Sequence, residues 1–122
     1  MDAVKFIEYQ TKKIVLVDLS NIKEEWKTAG KVQNTNGFIL SQPLNSVLLL
    51  INLTNFDLKI PELRMFSKAA TETKPYIKAA AAYGLSGFVL ATFEMFTMNH
   101  QLHTKIFETQ QPALDWLISA GC

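Results

Sequence analysis

Two short runs rich in β-branched and aromatic residues, Val4 to Tyr9 and Ile14 to Leu19, flank the polar stretch Gln10-Thr11-Lys12-Lys13. That pattern predicts an antiparallel hairpin closed by a short loop. SNIKEEWK then opens a helix, with Asn21 placed to cap it and Glu24 placed to reach back as in a capping box. Ile22, Trp26, Ala29 and Ile39 continue one apolar face, but Gly30 and the stretch Asn34 to Gly37 are weak helix formers, so a bend or break is expected mid-helix. After Gln42-Pro43-Leu44-Asn45, the uninterrupted apolar run SVLLLINL has the length of a strand covered on both faces.

Pro61 suits the first turn of the next helix, in which Leu63, Phe66 and Ala70 recur at helical spacing until Lys74-Pro75 ends it. Lys78 to Ala82 favours helix on propensity, yet it is short, follows a proline and stops at Gly84, and so is read as a strand. Its small side chains would let helices pack closely on both sides. Gly87 to Asn99 is read as helix and LHTKIFET as a strand. Thr109 is placed to cap a last helix, whose buried stripe is Leu114, Leu117 and Ile118. Alternating strands and helices predict a single α/β domain over residues 1–122, with a mixed, mostly parallel sheet of about five strands flanked by about four helices.

Composition narrows the function classes. The chain has 122 residues, 48% hydrophobic, enough for one core without metal or disulfide staples. Twelve basic and eleven acidic residues, scattered along the chain, give a net charge of +1, which argues against a nucleic-acid partner. Cys122 is the only cysteine, so no disulfide can form within these residues. MDAVKFIEYQ lacks the apolar run of a signal peptide, and SVLLLINL is far short of the ~20 residues of a membrane span. A cytoplasmic location is the expectation.

FIEYQTKKIVLVDLS, QPLNSVLLLINLTN, KPYIKAAAAYGLSGF and LHTKIFETQQPALDWL together resemble the SpoIIAA-like domains of the STAS and CRAL-TRIO type, a bacterial family. The resemblance covers nearly the whole chain. It implies a mixed sheet flanked by helices and a regulatory, non-enzymatic role, although likeness of fold does not transfer function by itself. STAS proteins carry a phosphorylatable serine in the loop after the third strand. Here that stretch reads INLTNFDLKIPELRMF without the serine, which leaves Thr54 as a weak phosphorylation candidate.

Gly84-Leu85-Ser86-Gly87 invites two readings. Amide groups at a helix start attract anions, which makes Gly84, Ser86 and Gly87 a ligand or anion-binding candidate. The plainer reading is a tight turn with Ser86 as helix cap, and it is preferred: no lysine follows as in a P-loop, and the spacing is not that of a nucleophile elbow. His100 and His103 have metal-ligand spacing but no cysteine or nearby acid, so capping or solvation explains them better and no metal is expected. Asp18 and Asp57 could face a common crevice at strand ends, but loop capping is the stronger reading. Trp26 and Trp116 are read as core anchors. No catalytic residues and no cofactor are expected.

GFVLATFEMFTMNH departs most from an ordinary surface helix. Its apolar residues cover about two thirds of the helix circumference, where one-sided packing needs only a ~100° stripe, and Glu94 and Thr97, with Leu90 between them, form the wet face. Phe88, Val89, Phe93, Met95, Phe96 and Met98 are therefore candidates for an interface or an apolar pocket. The first expectation is a regulatory module that acts through protein–protein interaction, as a homodimer through this helix. The alternative is a carrier or sensor of a small, lipid-like apolar ligand.

Overall fold

The computed structural model describes residues 4–99 and 104–120, with the backbone alone at 88 and 96–99. The hairpin comes first: β1 (Lys5–Tyr9) pairs antiparallel with β2 (Lys12–Asp18). The connection is tighter than the sequence suggested, because Gln10 and Thr11 both take positive φ (48° and 67°) and turn the chain alone. A two-residue turn of this hand matches the twist of the flanking strands.

The remaining elements are α1 (Glu25–Ile39), β3 (Val47–Asn52), α2 (Ile60–Thr73), β4 (Ile77–Tyr83), α3 (Gly87–Asn99), β5 (Thr104–Phe107) and α4 (Gln110–Ala120), with a 3₁₀ turn over Lys74–Tyr76 between α2 and β4. The five strands lie in chain order, β1-β2-β3-β4-β5. From β2 onward every neighbouring pair is parallel.

Chain order and parallel pairing dictate the layers. Right-handed crossovers that all step the same way leave their helices on one face of the sheet. The core agrees. Phe66 of α2 and Leu90 and Phe93 of α3 pack with Val17, Leu49, Ile51 and Ala82, while Ile39 of α1 packs with Val15 and Val47. Ala113, Leu114 and Leu117 of α4 cover the other face, against Ile14, Leu48, Leu50, Ala79, Ala81 and Tyr83. Helices on both sides explain β4: Ala79 to Tyr83 are all buried, and small side chains admit close approach from each layer.

Three expectations need correction. Asn21 does not cap α1. It sits at φ 62° with its side-chain carbonyl accepting a bond from Asn55, so the helix starts at Glu25 after Glu24, whose carbonyl accepts from Lys27 and Thr28. Nor does α1 break, running without interruption from Glu25 to Ile39: burial of Thr28, Thr35 and Ile39 along one stripe outweighs the poor propensity of Gly30 and Asn34 to Gly37. Trp26 is no core anchor, being 72% exposed in the first turn of α1. Trp116 is half-buried, with its ring 6.1 Å from Phe107.

Candidate functional site

Because β2 to β5 are parallel, their carboxyl ends gather at one edge, the position where open α/β sheets hold ligands. Here the loops after β2, β3 and β4 are tied together. Leu19 N–H donates to the Asn52 carbonyl (3.0 Å), Asn21 N–H to Thr54 (3.0 Å) and Leu53 N–H to Tyr83 (2.8 Å). Asn55 Nδ2 donates to Asn21 Oδ1 at 2.8 Å, and Lys23 Nζ donates to the Asn55 carbonyl at 3.0 Å.

Gly84 explains the first half of the Gly-Leu-Ser-Gly turn. At φ +101° it lies against the loop after β3, and a Cβ there would stand 2.5 Å from both the amide nitrogen and Oγ1 of Thr54. Only glycine satisfies both demands. Ser86 directly precedes α3, exposed, and its carbonyl accepts from Leu90 N–H at 3.3 Å. Thr54 is exposed, with its amide donating to Asn52 Oδ1 at 3.0 Å.

The two aspartates each have their own partners. Asp18 Oδ1 accepts from the Ser20 hydroxyl (2.6 Å) and amide (3.1 Å). Burial works against its ionisation, but those bonds and the positive charges of Lys5 and Lys31 prevail and hold its carboxyl below the usual value of 3.8. Burial, reinforced by the Asp18 charge, pushes the Tyr83 phenol above 10.0. Asp57 pairs with Lys59 at 3.5 Å. His100 and His103 lie outside the described residues, and among the described residues no three His, Cys, Asp or Glu side chains come together as a metal site.

An internal space among the described residues lies elsewhere. A cavity of about 80 Å³ opens between the sheet and the α1–α2 pair. Val17, Leu49 and Ile51 form its floor, Thr35, Asn36 and Ile39 come from α1, Phe66, Ala69, Ala70 and Thr73 from α2, and Phe93 reaches in from α3. Spacing shows how it arises. Thr28, Val32, Thr35 and Ile39 are one stripe of α1, and Glu62, Phe66, Ala69, Ala70 and Thr73 one stripe of α2. Where the α2 stripe faces the sheet it carries two alanines instead of large side chains. The sequence reading missed this wall, although polar residues recurring on a buried stripe, Thr35 and Thr73 among them, are a signal that helical spacing exposes.

Glu62 is the most unusual residue on that stripe. It is 0% exposed, and among the described residues neither carboxylate oxygen has a hydrogen-bond partner. Thr28 Oγ1 at the matching end of α1 is likewise buried and without a partner among the described residues. Each stands one helical turn N-terminal to a cavity-lining side chain, Phe66 and Val32 respectively.

Of the interface or pocket candidates on α3, Phe93 is buried and lines the cavity, while Val89 and Met95 are exposed at 41% and 64%. The side chains of Phe88, Phe96 and Met98 lie outside the described ones. Leu90, expected on the wet face, is half-buried and packs with Phe93, because the helix leans that side onto the sheet. No helix among the described residues is long and apolar enough to cross a membrane. The chain matches no protein-family model, and no curated protein matches it.

Proposed function

We propose that this α/β protein is a non-enzymatic binding module that takes up a small apolar molecule between the sheet and the α1–α2 pair, as a carrier or sensor. One observation carries this reading: a cavity of about 80 Å³ walled by Val17, Leu49, Ile51, Phe66 and Phe93. Well-packed interiors leave few voids larger than a water molecule. Apolar voids on the order of 150 Å³ stay dry and accept benzene-sized guests, so at about 80 Å³ this cavity takes such a guest by widening. The cavity also has a structural cause, since Ala69 and Ala70 stand where larger side chains would close it.

Methyl NMR tests the proposal. Titration with toluene is expected to shift the methyls of Val17, Leu49 and Ile51 saturably. Ala70→Leu, which fills the space, is expected to abolish those shifts and to raise stability by about 1 kcal/mol. Methyls of the native protein left unmoved both by toluene and by its hydroxylated analogue p-cresol would sink the proposal.

A second reading rests on a different observation. Val89 and Met95 put apolar surface on the outside of α3, which favours a SpoIIAA-like regulatory module of the STAS type that pairs through this helix with another copy of itself. Light scattering at ~50 μM distinguishes them: a dimer supports pairing, and a monomer removes it.

A further inference from the structure

We infer that the cavity takes an uncharged amphiphile whose single hydrogen-bonding group is held by Asn36. The inference rests on the ligand-binding reading above and specifies the chemistry of the guest. No described side chain lining the cavity is charged, the Glu62 carboxylate standing one turn of α2 beyond Phe66 and outside the lining, so an ionic guest would leave water for a wall with no counter-charge. A guest that is wholly hydrocarbon does not match the lining either, because its polar groups are not spread evenly. Thr35 and Asn36 come from the C-terminal half of α1 and Thr73 from the last residue of α2, whereas Phe66 belongs to the first half of α2. The polar groups that the helices contribute thus gather toward the C-terminal ends of α1 and α2, with Ile39 beside them, and Thr104 adds a hydroxyl from the start of β5.

Hydrogen bonding among these groups shows which residue is available. Thr35 Oγ1 donates to the Lys31 carbonyl at 2.9 Å, and Thr73 Oγ1 donates to the Ala69 carbonyl at 2.8 Å. Their protons are committed to their own helices, so they can only accept. The Asn36 side chain makes no hydrogen bond among the described residues, and it brings two donors and an acceptor to the cavity wall, where Thr104 of β5 offers only one hydroxyl. A hydroxyl or carbonyl on the guest would meet a donor from Asn36, and a hydroxyl proton would meet an acceptor from Asn36 or a threonine.

Three probes of similar size test this: toluene, p-cresol, which adds one hydroxyl, and benzylamine, cationic at neutral pH. Affinities are read from the Val17, Leu49 and Ile51 methyls. In the native protein p-cresol is expected to bind about five-fold tighter than toluene, and benzylamine not to bind. In Asn36→Leu the p-cresol preference is expected to vanish or invert, because the hydroxyl is then buried without its partner. Asn36 is half-buried on a helix surface, so leucine there suits the fold, and Asn36→Ala serves as a second variant. Equal binding of p-cresol and toluene by the native protein, survival of the preference in both variants, or tight binding of benzylamine each overturns the inference while leaving a ligand cavity in place. Binding of none of the three overturns the cavity reading itself.

Discussion

At the scale of the residue, Glu62 is the group whose environment least matches its chemistry. A glutamate in the first turn of a helix usually faces water and complements the helix dipole, and nothing in Pro61-Glu62-Leu63 suggests otherwise. Only its position on the stripe of Phe66, Ala69, Ala70 and Thr73 carries it inward, where its oxygens find no partner among the described residues. A buried carboxylate without partners costs stability, and an apolar side chain of similar volume removes that cost. Glu62→Met is therefore expected to raise the unfolding free energy by about 1–3 kcal/mol, read as a higher urea midpoint at unchanged slope; a lower midpoint would show that the carboxylate is held by interactions that its surroundings do not reveal. Gly84 differs in how far it could be read in advance. The turn was legible in Gly-Leu-Ser-Gly, but the approach of Thr54 was not, since that residue arrives from another strand's loop.

Among the elements, those with a strong local pattern lie where the sequence put them. β3 is an apolar run of strand length, α2 carries Pro61 in its first turn and ends at Thr73 before Lys74-Pro75, and α4 buries Leu114 and Leu117. Misreadings fall where neighbours override local preference. Asn21 is a good helix cap by type, but Asn55 takes its side chain; the glycines and asparagines of α1 disfavour helix, but its buried stripe holds the turns together. β4 shows the opposite balance, with alanines that prefer helix held in a strand between parallel partners β3 and β5. Its small side chains set the spacing of the layers. Ala81 is 0% exposed on the face that meets α4. Ala81→Leu is expected to cost about 1–3 kcal/mol, because added volume there must displace the helix. Chemical denaturation measures the loss, and a neutral outcome would show slack between α4 and the sheet.

For the whole molecule, charge as well as packing links elements distant in sequence. Asp18 ends β2, yet Lys5 of β1 and Lys31 of α1 help to keep it ionised, and its charge acts on Tyr83 of β4. With a folded pKa below the unfolded 3.8, Asp18 contributes stability that is fully present above 3.8 and is lost as pH falls through the lower folded value. Asp18→Asn should therefore flatten the acid limb of the stability profile below pH 3.8, and an unchanged limb would count against these contacts. Tyr83 titrates the other way: its raised pKa contributes stability below 10.0 that is lost as pH rises beyond it. The sequence by itself determined the alternation of strands and helices and hence the α/β class, because periodicity and punctuation are local properties that survive in any arrangement of the pieces. Tertiary structure alone decided that α1, α2 and α3 share one face and α4 holds the other, since that depends on strand order and crossover hand. The apolar cavity follows from the same layering. It exists only where Ala69 and Ala70 meet Val17, Leu49 and Ile51 across a gap, and no pattern within a single segment records that meeting.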